Sequence, residues 1–296
     1  MRAWPPITER ELLERLALDD EQFVASFRTL STLWGRREFQ RTGFEWALAY
    51  PWERPAGSYI LRGSEVQLLK DVDAAERVST VEAVVEDRHP LLSYGGNAAP
   101  ASLTTKFAHF PDEEDRTVLV LASELHDFDV GPAASLAPMG YMPATLFASR
   151  GTRVRAAIVW ATAAQVTQLT WSEIPYRLVR LDDARVVMDD AELEVGDCFA
   201  YTHRLGSFCI DGSPVALAAI PAIDRTASAL TQAHLLDVAA RLVIGPAARA
   251  EDLVRAIFED FAAVTARAAK TVWPRSRQLR SNWTPFPAPS DRSDRR

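Results

Sequence analysis

The stretch Leu91-Leu92-Ser93-Tyr94-Gly95-Gly96-Asn97-Ala98-Ala99-Pro100 decides how the rest of the chain is read. A short apolar run, expected as a strand over 91–94, enters two glycines. A helix is expected over 98–107, with Asn97 in the position of a helix cap and Pro100 in the first turn, where a missing N–H costs nothing. Adjacent glycines let the backbone turn sharply and bring its N–H groups close to a ligand with no Cβ in the way. Such donors, added to a helix amino terminus, suit a carboxylate or a phosphate. The same composition also makes a plain strand-to-helix turn, so on these residues alone both readings stand.

Downstream of His89, strands and short helices alternate unevenly. Strands are expected at 117–125, 153–161, 176–181, 198–204 and 215–220, with a further helix from Ala163 to about Trp171. That pattern indicates a compact α+β domain and not a regular doubly wound sheet. Upstream, the first 45 or so residues read as helices. Thr8-Glu9-Arg10-Glu11 has capping-box spacing ahead of Leu12, Leu13 and Leu16, and Asp20 is the expected cap of a second helix with Phe23, Phe27, Leu30 and Trp34 at three- and four-residue steps. Tyr50-Pro51-Trp52-Glu53-Arg54-Pro55 interrupts the helices and reads as a lid over a pocket or as a proline-stiffened connector. A hairpin is expected around Arg62-Gly63-Ser64, then a polar bridge over 71–86. Residues 231–270 read as two helices broken at Gly245-Pro246, and the proline-, serine- and arginine-rich end as a mobile tail or a segment laid over the surface. The expected organisation is therefore a helical extension over 1–88, an α+β domain over 89–225, helices over 226–272 and a tail over 273–296. Apolar stripes on the flanking helices must be buried somewhere, and a homodimer surface is one place for them.

Composition narrows the function. A net charge of −7 argues against nucleic acid as the main partner, because phosphate binding needs a basic face. The one local exception is the arginine-rich end with Trp273 and Trp283. No apolar run approaches the ~20 residues that span a bilayer. The amino terminus has no apolar signal region, so the expected setting is cytoplasmic, with no membrane partner. Two cysteines, Cys198 and Cys209, exclude a disulfide framework, cannot form a zinc site unaided, and read as buried core residues. The run Glu124-Leu125-His126-Asp127-Phe128-Asp129 lacks three convergent ligands, and the five histidines share no ligand spacing, so no metal is expected. No Walker loop, Gly-x-Gly-x-x-Gly, His-Glu-x-x-His or Gly-x-Ser-x-Gly motif occurs, and no cofactor is expected.

One carboxylate stands out. Val166, Leu169 and Glu173 fall at i, i+3 and i+7, one stripe of a helix that should face inward. Pro175 biases Ile174 towards an extended conformation, which ends the helix near Glu173. Poor solvation and the unfavourable helix dipole both bring a carboxylate closer to what a general base requires. The plain alternative is a surface glutamate at a frayed helix end.

Strand-Tyr94-Gly95-Gly96-Asn97-helix resembles the signature Tyr-Gly-Ser-Asn of the γ-glutamyl-cyclotransferase-like superfamily, which includes the butirosin-type cyclotransferases. Gly96 stands where the family has serine. In that family a helix further along the chain leads to a glutamate, soon followed by Tyr and an alternating strand. Here Thr162-Ala163-Ala164-Gln165 resembles a capping box, and Ser172-Glu173-Ile174-Pro175-Tyr176-Arg177 follows. The resemblance covers 91–220, under half of the chain. It implies a mixed β-barrel or sheet with short helices, flanked here by extra helices, and loop amides that hold the α-carboxylate end of a γ-glutamyl group. It implies a lyase or acyltransferase that uses Glu173 as general acid/base, with no metal and no protein nucleophile, and releases 5-oxoproline and a free amine. The strand holding Tyr201 resembles one that lines the family pocket, so Tyr201 is either a substrate contact or a core tyrosine. An acyl-transferring or amide-hydrolysing variant, and a non-catalytic binding protein for an amino-acid-like ligand, remain as alternatives.

Overall fold

The computed structural model describes residues 3–33, 36–85, 87–182, 184–189, 198–279 and 283–286. In chain order its helices are α1 (Arg10–Leu16), α2 (Asp20–Leu33), α3 (Arg41–Leu48), α4 (Ala74–Val85), α5 (Pro100–Phe107), α6 (Ala163–Ser172), α7 (Gln232–Val243), α8 (Ala250–Glu259) and α9 (Phe261–Thr271). The main-sheet strands and their neighbours are β1 (Tyr59–Arg62), β2 (Glu65–Leu68), β3 (His89–Ser93), β4 (Val118–Pro132), β5 (Ala144–Ala161), β6 (Tyr176–Leu181), β7 (Val186–Met188) and β8 (Cys198–His203). Short strands follow at β9 (Ser207–Ile210), β10 (Ser213–Pro214), β11 (Ala216–Leu217), β12 (Ala222–Ile223), β13 (Ala229–Leu230), β14 (Ser276–Arg277) and β15 (Trp283–Pro285).

The main sheet runs β15-β6-β8-β3-β5-β4-β1-β2, with β12 on β5 and β7 on β4. Its pairings are antiparallel except for β3 beside β8, so the sheet is mixed. The long β4–β5 hairpin forms its backbone, in register from Leu119↔Trp160 to Pro132↔Ala144. The pairing shifts between His126 and Phe128, where Asp127 takes a left-handed φ of 63°.

Strand periodicity explains why both faces are covered, since successive side chains point to opposite faces. Leu91, Val118, Val120, Val159, Leu178 and Phe199 join one buried cluster with Leu12, Leu103, Phe107, Val166 and Leu169 from α1, α5 and α6. Their neighbours Leu92, Leu119, Leu121, Ile158, Val179 and Ala200 join the other, with Phe23, Phe27, Phe44, Leu235, Leu253 and Val264 from α2, α3 and α7–α9. These stripes thus face this chain's own core, while Trp46 of α3 and Val78 of α4 stay exposed. Trp34, which continues the α2 stripe in the sequence, lies outside the described residues.

Several expectations are corrected. The sheet is not a closed barrel: its path ends on β15 at one edge and β2 at the other, where Glu65, Val66 and Gln67 are exposed. The hairpin around Gly63 is β1–β2, and β1 continues the sheet from β4. The polar bridge over 71–86 contains α4, and 231–270 holds three helices, since Asp260 caps α9 through Ala263 N at 3.0 Å directly after α8. The α2 cap is Asp19, whose Oδ1 accepts from Gln22 N at 2.8 Å, and not Asp20. The mobile tail is also corrected for its described part. Arg277 pairs with Ser207, Trp283 with Leu181, and Phe286 is buried against Trp4. Trp273 is buried too, beside Phe27, and Trp283 is half-buried with Arg177 5.7 Å from its ring. Both cysteines are free thiols and buried. Among the described residues no helix is long and apolar enough to cross a membrane.

Candidate functional site

Strand β3 lies inside the sheet between β8 and β5 and delivers Tyr94 to the point where the chain leaves it. Tyr94 is buried, and its hydroxyl donates to the Tyr201 carbonyl oxygen on β8. Gly96–Ala98 then forms one 3-10 turn, and α5 starts at Pro100 with Ala99 as its N-cap. Asn97 is therefore not a helix cap. Its side-chain amide donates from Nδ2 to Glu173 Oε1 at 3.0 Å.

Glu173 arrives from the other direction. A reciprocal capping box starts α6, with Gln165 N donating to Thr162 Oγ1 at 3.2 Å and Thr162 N to Gln165 Oε1 at 2.9 Å. Val166 and Leu169 anchor its inner face beside Leu103 of α5. Glu173 is the C-cap, with φ −106° and ψ 39°, so the helix ends on the carboxylate-bearing residue. The carboxylate points inward, with 16% of the side chain exposed, but it is not bare. Lys106 from α5 donates to Glu173 Oε1 at 3.1 Å and to Asn97 Oδ1 at 2.6 Å. Asn97, Lys106 and Glu173 form a closed triangle. The sequence marks Glu173 as a single inward carboxylate; the structure adds a cation and an amide bonded to it.

The chain has six tyrosines. Five of them, Tyr50, Tyr94, Tyr141, Tyr176 and Tyr201, feel the Glu173 charge. Burial raises all five hydroxyl pKa values, and the nearby carboxylate adds to the effect, so each stays a neutral O–H donor. They are tied to one another through β5: Ala144 N donates to Tyr50 Oη at 2.9 Å, and Tyr176 Oη donates to Ala144 O at 2.8 Å. Tyr201 Oη shares a hydrogen bond with Thr170 Oγ1 at 2.8 Å. It belongs to the buried wall behind Glu173 and holds α6 in place.

The segment 50–55 is clamped onto the glycine loop. Arg54 Nη2 donates to the Tyr94 and Gly95 carbonyl oxygens at 2.8 and 3.0 Å. Trp52 lies over Gly96, where a Cβ would stand 2.6 Å from Trp52 Cζ3. A Cβ on Gly95 would stand 2.8 Å from Tyr50 Oη. The glycines are thus required by what packs on them, and at Gly96, where the signature it resembles has serine, an indole occupies the side-chain volume. Tyr50 Oη thus sits directly against the loop.

A cavity of about 220 Å³ opens beside these groups, bounded by Asn97, Lys106 and Glu173 on one side and by Phe27, Trp52 and Tyr141 on others. A second hollow of about 40 Å³ lies against the loop itself, between Tyr94–Asn97, Glu173, Tyr176 and Tyr201. It has room for about one water-sized group. Wider hollows of about 540 Å³ beside Cys209 and about 390 Å³ beside Arg54 do not include Glu173. Convergent polar groups, not volume, single out the Glu173 cavity.

Tyr94, Gly95, Gly96, Asn97, Glu173 and Tyr201, named from the sequence, all border the small hollow. Sequence reasoning missed Lys106, Tyr50, Tyr141 and Tyr176. Lys106 is an ordinary last-turn lysine by sequence, with nothing local to mark it. The Tyr50-Pro51-Trp52 run did signal a non-helical device, but not what it would touch. No protein-family model matches the chain, and neither a curated protein nor a solved structure matches it.

Proposed function

We propose that the cavity between the 94–97 loop and Glu173 is the active site of a γ-glutamyl-cyclotransferase-like lyase. The observation that carries this reading is the hydrogen bond from Asn97 Nδ2 to Glu173 Oε1, 3.0 Å long between residues 76 positions apart. It joins the two stretches that resemble the family at one wall of a cavity.

In the proposed reaction the substrate's α-amine attacks the carbonyl carbon of its own side-chain amide. A new C–N bond closes the five-membered lactam, and the bond to the leaving nitrogen breaks. Glu173 accepts the proton lost by the attacking amine and returns it to the leaving amine, so the carboxylate is regenerated. Because the nucleophile belongs to the substrate, much of the rate comes from holding one bent conformation. Asn97 and Lys106 fix the carboxylate, and Lys106 supplies the positive charge that the substrate's α-carboxylate requires. Tyr94, Tyr176 and Tyr201 spend their hydroxyls within the chain, which leaves the Tyr50 and Tyr141 hydroxyls as the neutral donors for the carbonyl oxygen as charge develops on it.

The test is 5-oxoproline release, followed by mass spectrometry, from a panel of γ-glutamyl amines and peptides. Release by the wild type and a loss of at least about 100-fold in Glu173→Gln is expected for a lost general acid/base. Equal release by both proteins removes Glu173 from the reaction. A product of glutamate instead of 5-oxoproline identifies the hydrolytic variant. The second reading, a binding protein for an amino-acid-like ligand, is favoured by one observation: the hydrogen bonds of the Glu173 triangle are satisfied within the chain. Tight binding of glutamate or 5-oxoproline with no turnover of any amide selects it.

A further inference from the structure

We infer that the amine leaving this site is apolar, an alkyl or arylalkyl amine and not an amino acid. The inference rests on the cyclotransferase reading and names its substrate class. The cavity has a polar end and an apolar body. Among the described residues the charged side chains that line it are Lys106 and Glu173, which are paired with each other. Beyond them the walls are Phe27 and Leu30 of α2, Leu136 and Met139 of the β4–β5 connection, and Trp52.

The charge balance decides the class. Lys106 is the one cation in the described lining, and it already serves the Glu173 carboxylate and, with the attacking amine neutral, the α-carboxylate of the γ-glutamyl head. An amino-acid leaving group would add a further carboxylate among the apolar walls, with no cation to receive it. Burying an unpaired charge is strongly unfavourable. Arg37 reaches the same connection, but it is bonded to the Pro138 carbonyl, stacks 4.3 Å over the Phe258 ring and is not part of the lining.

A run of rings extends the apolar wall outward. Tyr50 and Tyr141 stack at 4.2 Å, Trp52 meets Tyr141 edge-on at 5.5 Å, and Trp46 stacks on Trp52 at 4.6 Å. At the outer end Trp46 and Met139 are each 40% exposed. Two large apolar side chains left open beside a cavity mark a surface that an apolar ligand can cover. The walls come from α2 and the 132–144 connection, so the amino-terminal helices have a part in choosing the substrate.

The experiment compares γ-glutamyl-benzylamide with γ-glutamylalanine on the wild-type protein, reading kcat/KM from 5-oxoproline release. A preference of at least about tenfold for the benzylamide is expected. Equal rates, or a preference for γ-glutamylalanine, overturn the inference while leaving the cyclotransferase reading intact. Leu30→Lys, a half-buried position where a long side chain can place its charge at the cavity mouth, should narrow the ratio by raising the rate with γ-glutamylalanine. If neither amide is turned over, the cyclotransferase reading fails and calorimetric titration of the wild type judges the wall: benzylamide binding about tenfold tighter supports the apolar assignment, and equal or no binding overturns it.

Discussion

Replacing Gly96 with alanine tests whether this loop is shaped by Trp52. Gly96 does not occupy the left-handed region, so alanine can adopt its backbone without strain. The obstacle is steric. The new Cβ would stand 2.6 Å from Trp52 Cζ3 and 3.2 Å from Cε3, closer than packed carbons tolerate, so the indole must move. It cannot move freely, because Trp52 Nε1 donates to the Trp46 carbonyl at 3.2 Å and the ring is stacked on Trp46 at 4.6 Å. Overpacking of this kind costs roughly 1–3 kcal/mol. In a Trp52→Ala background the obstacle is gone. Gly96→Ala should then be neutral or stabilising by about 0.4–1 kcal/mol, through the smaller entropy of the unfolded chain. The difference between the two backgrounds is a coupling of about 1–4 kcal/mol. Urea denaturation of the wild type, both single variants and the double variant measures it, with tryptophan emission reporting displacement of the ring. If Gly96→Ala costs the same with and without Trp52, the indole does not dictate the glycine and the reasoning is wrong.

Two further predictions concern stability. His203 is buried, and desolvation first, then the nearby Arg177 and Arg204 charges, push its pKa down to about 3. The folded protein therefore holds it neutral. Stability is full above the unfolded value of about 6.5 and is lost as pH falls from there towards about 3, at roughly 1.4 kcal/mol per pH unit, or about 2 kcal/mol by pH 5. Urea midpoints between pH 7 and 5 should fall less steeply in His203→Gln than in the wild type; parallel slopes would refute the assignment. Asp129 is fully buried and takes two hydrogen bonds from Arg225, each 2.8 Å long. Arg225→Met should cost about 3–5 kcal/mol by stranding that carboxylate. Arg225→Met with Asp129→Asn should recover part of the loss, and no recovery would assign the cost to packing alone.

The legible parts of the site were those with local causes. Tyr94 to Asn97 could be read because strand, glycines and turn are adjacent in the chain. Glu173 could be read because Thr162, Gln165, Val166 and Leu169 specify one helix, its start and its inner face within a dozen residues. The sequence misled where a local rule met a competing partner. Asn97 has a good capping side chain, but Lys106 takes its Oδ1, the atom a cap would use, and Ala99 becomes the cap. The last described residues are rich in arginine and tryptophan, as a flexible tail would be. Strand pairing with Leu181 and Ser207 fixes them instead.

Chain order alone determined the α+β class, the alternating strands of the sheet, the inward face of α6 and the need for a close approach at Gly95-Gly96, because each depends on residues within a turn or a strand of one another. Only the tertiary structure decided what makes that close approach and what surrounds the acid. Trp52 and Tyr50 come from 44 and 45 positions upstream of the glycines they cover, as read from the numbering, and Lys106 meets Glu173 across 67 residues. Contacts at such separations carry no periodicity and no short motif. They exist because helices and strands with apolar faces have a small number of ways to pack, and the side chains left at the edge of that packing meet there.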